Sequence, residues 1–150
     1  MPTELYAVAD SKIFIGGVLS TKKADFVIGD FTSQTWVEID GWETCGTVGD
    51  SAEVITTVLI NRGRAIKQKG TNNAGSMENT FAVIDGNAGQ IALKAAQVSN
   101  DNYAFKIEWS TGEVANFVAL VTSQSRAGGD ANTVHSISAT LEINSNIVEA

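Results

Sequence analysis

Residues 103 to 110 alternate strictly, with Tyr103, Phe105, Ile107 and Trp109 on one side and Ala104, Lys106, Glu108 and Ser110 on the other. A period of two commits this stretch to a β-strand with one buried face, because a helix would scatter the same apolar side chains around its axis. Ser110-Thr111-Gly112-Glu113 then predicts a hairpin turn into Val114 to Ser125. The run from Arg126 to Asn132, with Gly128 and Gly129, predicts a longer turn into a third strand, Thr133 to Asn144. In that strand Ile137, Ala139, Leu141 and Ile143 face the core, and Ser136, Ser138, Thr140 and Glu142 face away from it.

The rest of the chain carries the same signature. Gly occurs 14 times, Pro once, and β-branched residues recur in short runs, which predicts many strands separated by glycine turns. Further strands are predicted over Lys12 to Leu19, more weakly over Phe26 to Phe31, and over Thr35 to Trp42, Glu53 to Asn61, Arg64 to Lys69 and Asn79 to Ile84. Only Asp85 to Asp101 breaks the pattern. Ile91, Ala95 and Val98 stand there at helical spacing, with Asp85 or Asn87 as a cap, which predicts one helix at 86–99. With 150 residues, 43% of them hydrophobic, and no repeat or linker, residues 1–150 form a single domain. The N-terminus lacks a basic region followed by an apolar core, and no apolar run approaches the length that spans a bilayer, so a soluble protein without a signal peptide is expected.

Charge and residue identity then remove most chemistries. A formal charge of -7 disfavours a protein that grips phosphate backbones. Cys45 has no partner cysteine for an intrachain disulfide. The glycine-bearing stretch Gly41 to Ser51 has neither the P-loop nor the dinucleotide pattern, and a phosphate there would meet Glu43 and Asp50. Cys45 and the lone His135 read as a semi-buried thiol and a strand histidine rather than a catalytic pair, and one His with one Cys makes no structural zinc site. Glu38 and Asp40 project from one strand face, where carboxylates are ordinarily solvated. The basic cluster Arg62, Arg64, Lys67 and Lys69 has no interleaved aromatic for base stacking, so it reads as a patch that docks an acidic surface of an identical neighbour. No catalytic residue, cofactor or metal is expected.

The segments WVEIDGWETCGTVGDSAEVI, RGRAIKQKGTNNAGSMENTF, DGNAGQIALKAAQ, YAFKIEWSTG and HSISATLEINSNIVEA, in this order, resemble the major tail tube proteins of long-tailed bacteriophages, chiefly the non-contractile type, and of gene transfer agents. The resemblance covers nearly the whole chain. It implies a mainly β fold of two packed antiparallel sheets, sandwich- or barrel-like, with one flanking α-helix, and subunits joined into hexameric rings that stack into a tube. It implies an N-terminal arm at 1–12, a stacking loop at 42–52 and a polar connecting segment at 62–79. Contacts between subunits or rings then fall to Trp42, Glu43, Thr44, Cys45, Thr47 and Asp50, and to Arg62, Arg64, Lys67 and Lys69. Partners on this reading are further copies, a tape-measure protein, and terminator and baseplate proteins. DNA passes through without specific binding, in a virion tail assembled in the host bacterial cytoplasm, with no membrane partner. A net negative bore is expected, with Glu142 and at least one of Glu38 and Asp40 facing it. Two rival readings are the tube protein of a contractile secretion-like system and a β-sandwich carbohydrate-binding module, the latter because Trp36 and Trp42 fall on the same side as Glu38 and Asp40.

Overall fold

A computed structural model describes residues 5–20 and 25–149. In chain order the strands are β1 (Lys12–Val18), β2 (Val37–Glu38), β3 (Trp42–Thr44), β4 (Ser51–Thr57), β5 (Ile66–Asn73) and β6 (Ser76–Ala82). Helix α1 (Ala88–Val98) follows, then β7 (Tyr103–Glu108), β8 (Val114–Ala127), β9 (Ser136–Ile143) and β10 (Val148–Glu149). The main sheet runs β2-β1-β7-β8-β9-β6-β3, with β10 also on β8, and β4 and β5 form a separate two-stranded sheet. The fold is mainly β with two antiparallel sheets and one helix, as the sequence led us to expect.

The long strand β8 gives the main sheet its layered shape. Its first half pairs with β7, from Val114↔Glu108 to Ala119↔Tyr103, and its second half pairs with β9, from Ala119↔Ile143 to Ala127↔Ser136. The two pairings overlap only at Ala119, and the register shifts between Val121 and Ser123. A strand with a bulge at its middle turns a corner from one layer into another. One layer is β2-β1-β7 with the start of β8 and with β10; the other is the end of β8 with β9, β6 and β3.

The segment 37–44 closes the far side. It pairs with β1 through Val37 and Glu38, then with β6 through Trp42 and Thr44, so one short stretch of chain joins opposite ends of the strand order. Ile39 to Gly41 span no more than about 13 Å, which holds those ends together. Ile39 N–H donates to the Ile13 carbonyl (2.9 Å) and Ala82 N–H to the Gly41 carbonyl (2.6 Å). Helix α1 locks this seam. Asn87 caps the helix by accepting from Gln90 N–H (3.0 Å), and the Gln90 amide donates to the carbonyls of Asp40 (2.9 Å) and Ala82 (2.7 Å) while accepting from Ile84 N–H (3.1 Å). The helix approaches so closely that a Cβ on Gly89 would lie 2.0 Å from the Glu38 carbonyl oxygen.

Between the layers lies the core. Ile13, Phe81, Phe105, Ile107, Phe117, Leu141 and Leu93 of the helix are buried in it. The inward faces predicted for 103–109 and 137–143 are the observed ones. Three expectations are corrected. Residues 26–31 form no strand, because Asp30 accepts from Val27 N–H (2.8 Å) and folds Ile28–Phe31 into a 3-10 turn. Phe26 and Phe31, with ring centres 5.8 Å apart, cover Ala104 and Val118, so β7 is buried on both faces there. Finally, 35–42 is not one strand, since Gly41 takes φ +80° and breaks it into β2 and β3.

Candidate assembly surfaces

The hairpin β4-β5 lies outside this packing. Among the described residues its strands pair only with each other, from Ser51↔Asn73 to Thr57↔Ile66. Between 51 and 73 every residue is exposed except Ala52, Ile66 and Gly70, which are half-buried. The strands reach about 20 Å from their base. Apolar residues continue to the tip, where Val58 is 77% and Ile60 106% exposed with Leu59 between them, while Val54 and Ile55 are exposed lower on β4. An isolated two-stranded hairpin is marginal in water, and alternation here has no core to serve. The hairpin is also electrostatically distinct. Between 54 and 77 stand Arg62, Arg64, Lys67 and Lys69 and no acid, leaving six bases against 17 acids on the rest of the chain.

The ten contact candidates separate into two groups. Lys67 and Lys69 lie on β5, and Arg62 and Arg64 in the turn that leads to it, so all four basic residues belong to the projecting hairpin. The boundary 62–79 is corrected: it contains β5 and much of β6, two strands in different sheets. The boundary 42–52 is corrected too. Trp42–Thr44 is a strand on β6, with Trp42 packed against the core and its Nε1–H donating to Asn79 Oδ1 (3.2 Å). Asn79 Oδ1 also accepts from Gly46 N–H (3.1 Å), and a Cβ on Gly46 would lie 2.5 Å from the Glu78 carbonyl oxygen, so 42–46 is held flat on the body. Glu43, Thr44 and Thr47 are exposed along this edge, and Asp50 sits at the foot of the hairpin.

Cys45 is half-buried and donates to the Gly46 carbonyl (3.2 Å). Burial raises its pKa, which keeps the thiol protonated and poorly nucleophilic at neutral pH. His135, expected on a strand among core residues, is exposed just ahead of β9. Trp36 packs against the Phe26 and Phe31 cluster and Trp42 against the main core, so they form no shared aromatic platform; Gly41 reverses the alternation between them. Of the arm at 1–12, residues 1–4 lie outside the described residues. Ser110 Oγ–H donates to the Ala7 carbonyl, and Leu5, Tyr6 and Val8 are exposed.

A polar wall covers the outer face of the second layer. On β9 it carries Ser136, Ser138, Thr140 and Glu142, which pair with Ala82, Thr80, Glu78 and Ser76 of β6. Ser123, Ser125 and Ala127 of β8 stand opposite Thr140, Ser138 and Ser136. The wall is built of small hydroxyls with two carboxylates, Glu78 and Glu142, and these rows contain no lysine or arginine. Glu78 was missed in the sequence, although its alternation against Met77, Asn79 and Phe81 marks it. The structure does not bring Glu38 and Asp40 to Glu142: they belong to the seam by Ala82, and Glu142 pairs with Ser76, about 20 Å away along β6. Among the described residues nothing pairs with the β7-side edge of β8 beyond Ala119, so its second half presents open backbone groups.

Neither a family model nor a curated protein sequence matches the chain. Solved structures do. A chain of an extracellular contractile injection system, the PVC sheath/tube terminator in its extended state, superposes with a TM-score of 0.71 at 14% identity, over 99% of this chain and 98% of that one. A chain from the tail of an empty gene transfer agent particle, with C6 symmetry, gives 0.69 at 14% identity, over 97% and 99%. The SPP1 tail tube gives 0.67 at 16% identity, over 93% of this chain and 76% of that one. The chain therefore has the fold seen in these tail and tube assemblies.

Proposed function

We propose that this protein is a non-enzymatic building block of a phage-type tail tube: copies close into hexameric rings, the rings stack, and the hollow interior conducts DNA. The observation that carries the reading is the hairpin 51–73, whose exposed apolar tip and unbalanced positive charge suit a neighbour with an acidic body. Full-length likeness to chains of tail and tube assemblies supports it.

On this reading each surface has a task. The open edge of β8 adds to the 42–48 edge of the adjacent copy, extending the layer around the ring by backbone hydrogen bonds. Exposed Glu43, Thr44 and Thr47 then sit at a lateral contact, and the hairpin with Arg62, Arg64, Lys67 and Lys69 makes the contact between rings. The wall of hydroxyls with Glu78 and Glu142 faces the bore, where it gives DNA phosphates no cation to bind and lets them slide. A tape-measure protein would fill the bore during assembly, terminator and baseplate proteins would bound the tube, and the product would reside in the virion.

Electron microscopy of the purified protein over a rising concentration series tests the proposal. Rings or hollow tubes are expected. A protein that stays monomeric throughout, by sedimentation as well as by imaging, would overturn it.

A further inference from the structure

Asn116 stands on β8 opposite Lys106 of β7 and Val148 of β10, and it is only 2% exposed. Among the described residues its side-chain amide has no hydrogen-bond partner. A buried carboxamide left so is rare, since it carries two N–H donors and an acceptor oxygen. Among the described residues Asn79 Nδ2 is the one unpartnered side-chain polar atom sealed from solvent, so the Asn116 amide is not sealed. It opens into a cleft of about 270 Å³ on the outer face of the first layer, which it lines with Ile28, Phe31, Trp36, Lys106 and Val114. The Lys106 ammonium bonds Glu108 (3.4 Å) and lies over the rings of Phe14 (4.5 Å) and Trp36 (5.3 Å), so it leaves the cleft no free charge. Apolar walls with one convergent polar group fit an uncharged ligand that has an apolar body and groups that both donate and accept.

The molecule already holds the pairing that such a ligand would make. Asn146 Nδ2–H donates to the Phe26 carbonyl (3.0 Å) and Asn146 Oδ1 accepts from Phe26 N–H (2.8 Å), so one carboxamide satisfies both backbone groups of one residue. In an extended chain the N–H and C=O of a residue point to the same side, which presents both to one partner. We propose that the cleft binds an extended, uncharged, apolar segment of another protein, with Asn116 pairing in this way to one of its residues. Side chains of that segment then lie on Ile28, Trp36 and Val114. A carboxylate or an ammonium would use only half of the amide and would leave its charge among apolar walls. On the tube reading the polar wall of the second layer faces the bore, so the cleft, on the opposite layer, opens outward and recurs in every copy. Binding itself does not depend on that reading.

Saturation-transfer NMR tests it on the whole protein, monomeric or assembled, with acetyl-Ala-Val-Ala-amide as the probe. Transfer to the valine methyls is expected. Methylating the valine nitrogen removes its N–H and keeps the apolar body, and should weaken binding at least tenfold. Asn116→Leu should weaken it at least tenfold without lowering the melting temperature, because leucine replaces an amide that has no partner among the described residues. Ile28→Glu, at an exposed wall position, should weaken it with the fold intact. No transfer to the peptide, equal binding of the N-methylated peptide, or undiminished binding by Asn116→Leu would each overturn the proposal. Transfer to N-acetylglucosamine but not to the peptide would assign the cleft to a glycan and overturn it as well. Peptide binding by a protein that never forms tubes would keep this inference and overturn the tube reading, and tubes that do not bind the peptide would do the reverse.

Discussion

The body and the hairpin are both built of antiparallel strands and arrive at opposite outcomes. In β9 alternation puts Ile137, Ala139, Leu141 and Ile143 out of water, each no more than 6% exposed. In β4 the apolar residues Val54 and Ile55 are neighbours in sequence, fall on opposite faces, and remain 62% and 48% exposed. The body buries enough apolar surface to offset the entropy of ordering it, and the hairpin does not. The difference identifies which part folds for itself and which part is completed by another copy.

Removal of the hairpin should have the largest effect. Replacing Ile55 to Gln68 by Asn-Gly joins Val54 to Lys69, which already pair, through a two-residue turn. Assembly should be lost entirely while the monomer melts within about 3 °C of wild type, a change of about 1 kcal/mol or less. A much larger drop, by circular dichroism, would make the hairpin part of the body. The reciprocal test strikes the seam. In Gly89→Ala the new methyl meets backbone that cannot swing aside, and Gln90→Ala strips partners from Asp40, Ala82 and Ile84. Each should cost the monomer about 2–3 kcal/mol in a denaturant titration. An unchanged midpoint for both would show that the seam is not what closes the layers.

A smaller effect sharpens the electrostatic half of the contrast. Arg62→Glu with Arg64→Glu should leave monomer stability within about 0.5 kcal/mol, because both residues are exposed. The concentration needed for assembly should rise several-fold at low salt, and the difference should shrink as salt shortens the Debye length to below about 10 Å. A penalty that does not vary with salt, measured by light scattering, would take the charge of these arginines out of the contact.

The sequence disclosed most where one local rule acted alone. Alternation located β7 and β9 with their inward faces, and helical spacing with the Asn87 cap located α1 to within two residues at its start. It was misleading where a single residue redirected the chain. Asp30 turned an apolar run into a 3-10 turn, and the left-handed Gly41 sent Trp42 into the core although Asp40 faces water. The placement of the projecting segment depended on pairing that period cannot reveal: 42–46 is polar and glycine-bearing yet pinned by Asn79, whereas Val54 to Ile60 is apolar yet exposed. Glu78 joined Glu142 only because β6 pairs with β9, a contact between strands far apart in sequence.

The smallest effect on folding falls on the polar wall, where the consequence should appear only in transport. Glu78 and Glu142 are exposed on rows of small hydroxyls, and among the described residues neither carboxylate has a hydrogen-bond partner whose loss would weaken the fold. Lysine at both positions should therefore change monomer stability by no more than about 0.5 kcal/mol and leave tubes intact. If the wall faces the bore, every ring gains cations where it had carboxylates, repeated at each step along the tube. A phosphate that meets one lysine exchanges a condensed counterion for it, and a polyanion that meets rings of them is retained by many such exchanges in series. DNA release from assembled particles should slow markedly at low salt and recover as salt rises. Equal release rates for wild type and variant at low salt would place the wall on the outside of the tube, and the bore would then be sought on another face of the body.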